Sequence, residues 1–367
     1  MLVRLKTCFY EAIGSIKSNI YFIFRFKKII FSVKLKTIYM KRLIISLASI
    51  LILVPFFANA QQVKGLKPAQ TVLLYADSFE GNIDPVYGKE IIYGGFKMQE
   101  SNGLTGPETI NEKGILRNVS DLARVDLYFP KKPNGQMVVV CPGGGYVKLS
   151  TYGEGQHVAE WLLSKGIAVA VVKHRIPNGH WNVPLEDVQN AFRYCRAHAQ
   201  EWKVKQIGVI GFSAGGHLAA CASNFYVDAA TKPDFSILIY PVISFDYNVY
   251  RSGTRPGLIG KDEKWAGNEA KLNELVEYYS LEKQVTGETP QTFLSHCTND
   301  KTVVENSLIY YKSLVANKVS AEMHIWKSGG HGWGFSSENV AGKGNDKLVA
   351  HRKEFYNALE QWLKNIR

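Results

Sequence analysis

Gly211-Phe212-Ser213-Ala214-Gly215-Gly216 is the stretch on which the reading of this chain turns. The apolar run Ile207-Gly208-Val209-Ile210 precedes it and reads as a short buried strand. His217-Leu218-Ala219-Ala220-Cys221-Ala222 follows and reads as a helix packed through small residues. A Gly-x-Ser-x-Gly sequence between a strand and a helix is the pattern of a nucleophile elbow. Such a turn leaves no room for side chains beside the serine, which accounts for Gly211 and Gly215. It holds the Ser213 hydroxyl past the carboxyl end of a strand, at the positive end of the next helix. Five residues alone also fit a glycine-rich turn with an incidental serine, so the flanking chain has to choose.

Apolar runs alternate with helical patterns on both sides of the elbow. Leu122–Phe129 alternates in polarity and stops at Pro130, as a half-buried strand does. Met137–Cys141, Ile167–Val172, Phe235–Tyr240, Thr292–Cys297 and Glu322–Trp326 read as further strands. Glu154–Lys165, Pro184–Trp202, Asn268–Tyr279, Ser307–Ala316 and Lys347–Ile366 read as helices. This order predicts an α/β fold with one doubly wound, mostly parallel sheet. Residues 61–115 hold no sustained period and read as a loose N-terminal arm with short edge strands. Residues 116–367 then form the catalytic domain.

A serine nucleophile needs a base within hydrogen-bond reach and an acid that orients the base. In an open α/β sheet such groups lie on loops past the carboxyl ends of strands. Thr298-Asn299-Asp300-Lys301 follows one predicted strand, and Lys327-Ser328-Gly329-Gly330-His331-Gly332-Trp333-Gly334 follows the next. They offer Asp300 as acid and His331 as base, in the chain order Ser, Asp, His. Asp300 alone would pass for a surface turn residue. His331 between glycines is harder to explain as structure, and those glycines let its ring swing over the sheet. Pro142-Gly143-Gly144-Gly145-Tyr146 follows the Met137–Cys141 run and suits an oxyanion hole, because glycines let backbone N–H groups approach an anion closely. The expected donors are the N–H groups of Gly144, Gly145 and Ala214. A dinucleotide-binding turn would need G-x-G-x-x-G spacing, which this loop lacks.

Five blocks now carry a resemblance: CPGGGY (Cys141–Tyr146), GFSAGGHLAA (Gly211–Ala220), IYPVIS (Ile239–Ser244), TPQTFLSHCTNDKTVVENSLIYYKSL (Thr289–Leu314) and GGHGWGF (Gly329–Phe335). With them the chain resembles the α/β-hydrolase superfamily, in its bacterial carbohydrate-esterase branch related to acetyl xylan esterases and hormone-sensitive-lipase-like enzymes. The resemblance implies the α/β-hydrolase fold, Ser213 as nucleophile, Asp300 as acid and His331 as base. It also implies a small cap insertion at about 245–287, where Tyr247, Tyr250, Arg251 and Trp265 would bear on substrate choice. Tyr146 and Trp333 flank the oxyanion and base loops and offer walls for a sugar ring, with plain packing as the other reading. Two departures stand out. Pro142 replaces the histidine of lipase-like relatives, and the segment after Asp300 lacks a proline common there.

The formal charge of +12 does not point to nucleic acid. Residues 1–60 hold ten Lys and Arg against one acid, leaving 34 basic and 31 acidic residues elsewhere. Met40-Lys41-Arg42, an apolar core from Leu43 to Phe57 and Ala58-Asn59-Ala60 make a secretory signal peptide over 40–60. The run is short for a membrane span, so no stable anchor is expected and the product would be periplasmic or extracellular. Residues 1–39 read as a mis-assigned upstream extension. Cys8, Cys141, Cys195, Cys221 and Cys297 form no zinc or CxxC pattern and read as buried thiols, a Cys195–Cys221 disulfide being the alternative. His174, His180 and His198 lack ligand spacing with any carboxylate, so neither metal nor cofactor is expected. His217 reads as packing or hydrogen-bonding beneath the nucleophile turn. His296 precedes the acid loop and could touch the site, with a buried structural role as the default. Asp187 reads as a helix-start charge, with Arg193 and Arg196 solvated or paired.

The leading expectation is an exported serine esterase that removes acetyl or other small acyl groups from an acylated plant polysaccharide or oligosaccharide, such as xylan. One rival is a serine peptidase of the prolyl-oligopeptidase type, whose N-terminal propeller residues 61–115 are too few to build. A non-catalytic binding protein on the same fold would normally have lost a triad member, and none is missing.

Overall fold

The apolar runs of the sequence become the central strands of one sheet. The computed structural model describes residues 66–74, 106–119, 123–249, 253–336 and 350–367. The described strands are β1 (Gln70–Leu73), β2 (Thr109–Ile110), β3 (Ile115–Arg117), β4 (Arg124–Tyr128), β5 (Gln136–Cys141), β6 (Leu149–Ser150), β7 (Ala168–Lys173), β8 (Gln206–Phe212), β9 (Ser236–Ile239), β10 (Thr292–Cys297) and β11 (Ala321–Trp326). The helices are α1 (His157–Ser164), α2 (Val183–His198), α3 (Ala214–Asn224), α4 (Thr254–Ile259), α5 (Glu269–Tyr278), α6 (Glu305–Ala316) and α7 (Arg352–Asn365). Eight strands form the main sheet in the order β1-β4-β7-β5-β8-β9-β10-β11. From β7 to β11 every pairing is parallel, whereas β4 runs antiparallel to both β1 and β7. The doubly wound α/β sheet is therefore present, with β2, β3 and β6 as a small antiparallel sheet beside it.

Each continuous apolar strand splits into two faces because successive side chains alternate. Val138 and Val140 of β5 join a core with α1 and α7, through Val158, Leu162, Phe355 and Leu359. Met137, Val139 and Cys141 join the opposite core with α2, α3 and α6, through Phe192, Leu218 and Tyr310. A run buried on both faces needs no polar alternation, which is why these strands read as solid hydrophobic blocks.

Differences from the sequence reading are local. The helix expected from Glu154 opens instead as a π-helical turn, Tyr152–Gln156, before α1 begins at His157. Within the 61–115 arm a short edge strand is present as expected: β1 pairs with β4 at one edge of the main sheet. Cys195 and Cys221 are both free and buried, as are Cys141 and Cys297, so the Cys195–Cys221 disulfide is corrected. Asp187, near the start of α2, is fully buried and accepts from the Arg175 backbone N–H at 2.7 Å and its Nε–H at 2.8 Å, a partner the sequence reading did not name. Residues 1–39, the segment at 40–60 expected to be a signal peptide, Leu122, Tyr250 and Arg251 lie outside the described residues.

At the elbow the helix start lies close against the end of β5. A Cβ on Gly215 would sit 2.1 Å from Cys141 O and 2.7 Å from Pro142 O, both on the neighbouring strand end. Those are backbone atoms and cannot swing aside. We expect Gly215→Ala to lower unfolding stability by about 3 kcal/mol or more, as overpacking of a rigid site does. Chemical denaturation would read this, and an unchanged midpoint would refute it.

Candidate active site

Ser213 sits between β8 and α3 with φ 54° and ψ −120°, a conformation an L-residue adopts only under constraint. The constraint is visible. Its N–H donates to Ile239 O at 3.1 Å, and its carbonyl accepts from Gly216, His217 and Val242 N–H at 3.0 to 3.2 Å. The strained turn projects the side chain off the sheet, as the five-residue pattern predicts.

The structure brings Ser213, His331 and Asp300 together. Ser213 Oγ lies 2.7 Å from His331 Nε2, and His331 Nδ1 lies 2.9 Å from Asp300 Oδ2. A carboxylate only accepts, so Nδ1 carries the ring proton and Nε2 is left to accept from the serine hydroxyl. Burial pushes the Asp300 carboxyl up, but hydrogen bonds from His296 and His331 outweigh it and hold the group below its ordinary value. An ionised, oriented acid behind a neutral imidazole is the arrangement that lets serine lose its proton as it attacks.

Asp300 is itself held in place. Its Oδ1 accepts from Thr302 N–H at 2.7 Å. His296 Nε2 is 2.7 Å from Thr302 O and 3.4 Å from Asp300 Oδ2, while its Nδ1 accepts from Ser307 Oγ at 2.8 Å. His296 is thus buried, as its default reading has it, and also touches the acid, as its place before the acid loop allows. Asn299 Oδ1 accepts from Gly330 N–H at 2.9 Å and joins the acid loop to the histidine loop. Neither contact had a signal in the sequence beyond position next to Asp300.

The oxyanion loop lies against the elbow. Gly143 N–H donates to Glu154 Oε2 at 2.8 Å, so it is already engaged. Gly144 and Gly145 follow with φ of 144° and 67°, and Ala214 opens the first turn of α3, whose leading N–H groups have no acceptor within the helix. These three were the expected donors, and they stand on the two loops that meet at Ser213.

The two expected sugar walls are corrected. Tyr146 is 2 % exposed, and its hydroxyl donates to His217 Nδ1 at 3.0 Å. Its left-handed backbone, φ 60°, turns the side chain inward. Trp333 is fully buried, packed 4.8 Å from the Tyr240 ring and 4.9 Å from that of Phe355. Neither presents a face to a ligand. His217 lies under the elbow as expected, and its Nε2–H donates to Tyr279 O at 3.0 Å. Burial pushes His217 down to about 4, so it stays neutral while stacked on Phe245 of the 245–287 segment.

Two further buried groups were missed. Glu154 accepts from Tyr240 as well as Gly143, and burial raises its carboxyl above the ordinary value against those hydrogen bonds. Tyr240, with φ 39°, packs its ring 5.1 Å from His331, and burial keeps its phenol protonated.

Residues 125–314 match the BD-FAE family model. The chain is 34% identical over 261 residues to an acetylxylan esterase of Xylanibacter ruminicola, covering 69% of this chain and 51% of that protein. It is 30% identical over 214 residues to the endo-1,4-beta-xylanase B of Butyrivibrio fibrisolvens, covering 53% of this chain and 32% of that one. The chain thus spans about half the length of the first relative and about a third of the second. Among solved structures, an acetyl ester-xyloside bifunctional hydrolase from Caldicellulosiruptor lactoaceticus superposes with a TM-score of 0.57 at 26% identity, covering 82% of this chain and 97% of that one. With the sheet order, the elbow and these matches together, the chain belongs to the BD-FAE family of α/β-hydrolases.

Proposed function

We propose that this chain is an exported serine esterase that removes acetyl or other small acyl groups from a xylan-type plant polysaccharide. The observation that carries the reading is the unbroken chain of contacts from Ser213 Oγ to His331 at 2.7 Å and on to Asp300 at 2.9 Å. The relatives' names support the substrate class, since two of them are called an acetylxylan esterase and a xylanase. Export rests on the signal-like segment at 40–60 and suits a polymer too large to enter a cell.

In this mechanism His331 Nε2 takes the Ser213 proton as Oγ attacks the ester carbonyl. The oxyanion rests on the N–H groups of Ala214, Gly144 and Gly145. One such donor typically contributes about 3 kcal/mol to transition-state stabilisation. His331 then protonates the departing sugar hydroxyl, and the acyl-enzyme is released by water with His331 again as base. Ser213 and His331 need no metal or cofactor for these steps. The 245–287 segment, tied to the elbow through Phe245 and Tyr279, is the proposed source of substrate choice.

The test sets acetylated xylan, feruloylated arabinoxylan, p-nitrophenyl acetate and a dipeptide amide side by side. Acetate release from acetylated xylan and from p-nitrophenyl acetate is expected. Cleavage of the amide without acetate release would favour a peptidase and overturn the reading.

A further inference from the structure

A single buried side chain connects the loop that would hold the oxyanion to the loop that carries the base. Glu154 lies on the π-helical turn Tyr152–Gln156, a widened turn of the kind that recurs at functional sites. One carboxylate oxygen, Oε2, accepts from Gly143 N–H at 2.8 Å. The other, Oε1, accepts from Tyr240 Oη at 2.9 Å, and Tyr240 Oη in turn accepts from Gly334 N–H at 2.9 Å. The same turn and the first residue of α1 together grip the next residue of the histidine loop, Phe335, at its N–H and its carbonyl. Phe335 N–H donates to Gly153 O at 2.9 Å, and His157 Nδ1–H donates to Phe335 O at 2.9 Å. Gly143 is close to the nucleophile: a Cβ there would lie 3.0 Å from Ser213 Cβ and 2.9 Å from Glu154 Oε2.

We propose that Glu154 is a positioning residue which, through Gly143 on one side and Tyr240 on the other, fixes the oxyanion loop relative to His331. The inference rests on the serine-esterase reading above. A buried carboxylate is an expensive way to hold two loops, and an apolar side chain of similar size would fill the space. What it adds is two acceptors at a fixed separation. Gly143 N–H and Tyr240 Oη–H both need one, and a carboxylate supplies both with no donor of its own. Glutamine keeps the shape and its carbonyl can still accept from Gly143, but it meets Tyr240 with an N–H, so the Tyr240 O–H loses its acceptor. Tyr240→Phe keeps the Gly143 bond and removes the links to Glu154 and Gly334.

The experiment compares wild type, Glu154→Gln, Tyr240→Phe and Tyr310→Phe. Tyr310 is a buried control whose hydroxyl accepts from Asn224 Nδ2 at 3.0 Å, away from the loops. Two rates are read: kcat and KM on p-nitrophenyl acetate, and the rate at which a fluorophosphonate labels Ser213, which needs the base and the oxyanion donors but no ester turnover. Glu154→Gln and Tyr240→Phe are each expected to lower kcat and the labelling rate about tenfold or more, because small misplacements of reacting groups are costly. KM should change by less than about twofold. Tyr310→Phe should lose thermal stability and keep both rates. Wild-type rates in Glu154→Gln and Tyr240→Phe, or a loss confined to Tm, would overturn the proposal. If Glu154→Gln does not fold, Tyr240→Phe decides alone. Wild type that is labelled but turns over no ester would defeat the esterase reading, and the labelling rates would still test Glu154.

Discussion

Replacing Ser213 by alanine is expected to lower kcat on p-nitrophenyl acetate by about 10⁵- to 10⁶-fold, leaving what binding and backbone donors supply alone. Alanine has no oxygen to attack the ester, and the site offers no second nucleophile in the hydrogen-bonded line that runs from Ser213 through His331 to Asp300. The loss should be specific to chemistry. Alanine tolerates the backbone at φ 54° no worse than serine does, so Tm should stay within a few degrees of wild type. His331→Ala should cost a similar factor, and the double variant little more, because residues acting as one unit are strongly non-additive. Retained ester hydrolysis in Ser213→Ala would place the chemistry elsewhere in the molecule.

Asp300→Asn is expected to lower kcat by about 10³- to 10⁴-fold while keeping the fold. An amide can turn its NH2 toward His331 Nδ1. That would drive the ring proton to Nε2, where it faces Ser213 Oγ and can no longer accept. Here the neighbourhood strengthens the expectation. Thr302 N–H donates to Asp300 Oδ1, so the amide oxygen is drawn to Thr302 and the NH2 to the side of His331 and His296. The variant should also change the acid limit of stability. A carboxyl held below its ordinary value stabilises the fold at pH values above that ordinary value, and the gain is lost as pH falls through the depressed one. Asparagine has no such gain to lose, so the fall in Tm on acidification should be shallower in Asp300→Asn. A kcat near that of wild type would show that His331 does not depend on this acid.

The parts of the molecule written in consecutive residues were legible. β5 and β8 read as strands because burial on both faces leaves a mostly apolar run. Ser213, Asp300 and His331 read as a set because each follows a predicted strand, in the expected chain order. What could not be read depends on the direction of a loop or on partners far apart in the chain. Tyr146 and Trp333 stand beside the right loops, but positive φ at Tyr146 and the aromatic cluster around Trp333 turn both inward. Glu154 looked like the start of a helix, and its partner Tyr240 is 86 residues away. The Asp187–Arg175 pair escaped for a related reason: a charge near a helix start shows nothing of a buried partner until the arginine's position is known.

The packing of α7 has a consequence for how the molecule comes to life. Phe355 of α7 meets Trp333 at 4.9 Å and Phe335 at 5.6 Å, so the loop bearing His331 leans on a helix that comes after it in the chain. Tyr240 and Asp300 hold the imidazole from the sheet side, but without α7 its loop loses the aromatic backing of Phe355. Hydrolytic competence should therefore arrive last, after α7 docks. A chain still being synthesised would carry its serine silent until folding closes behind it.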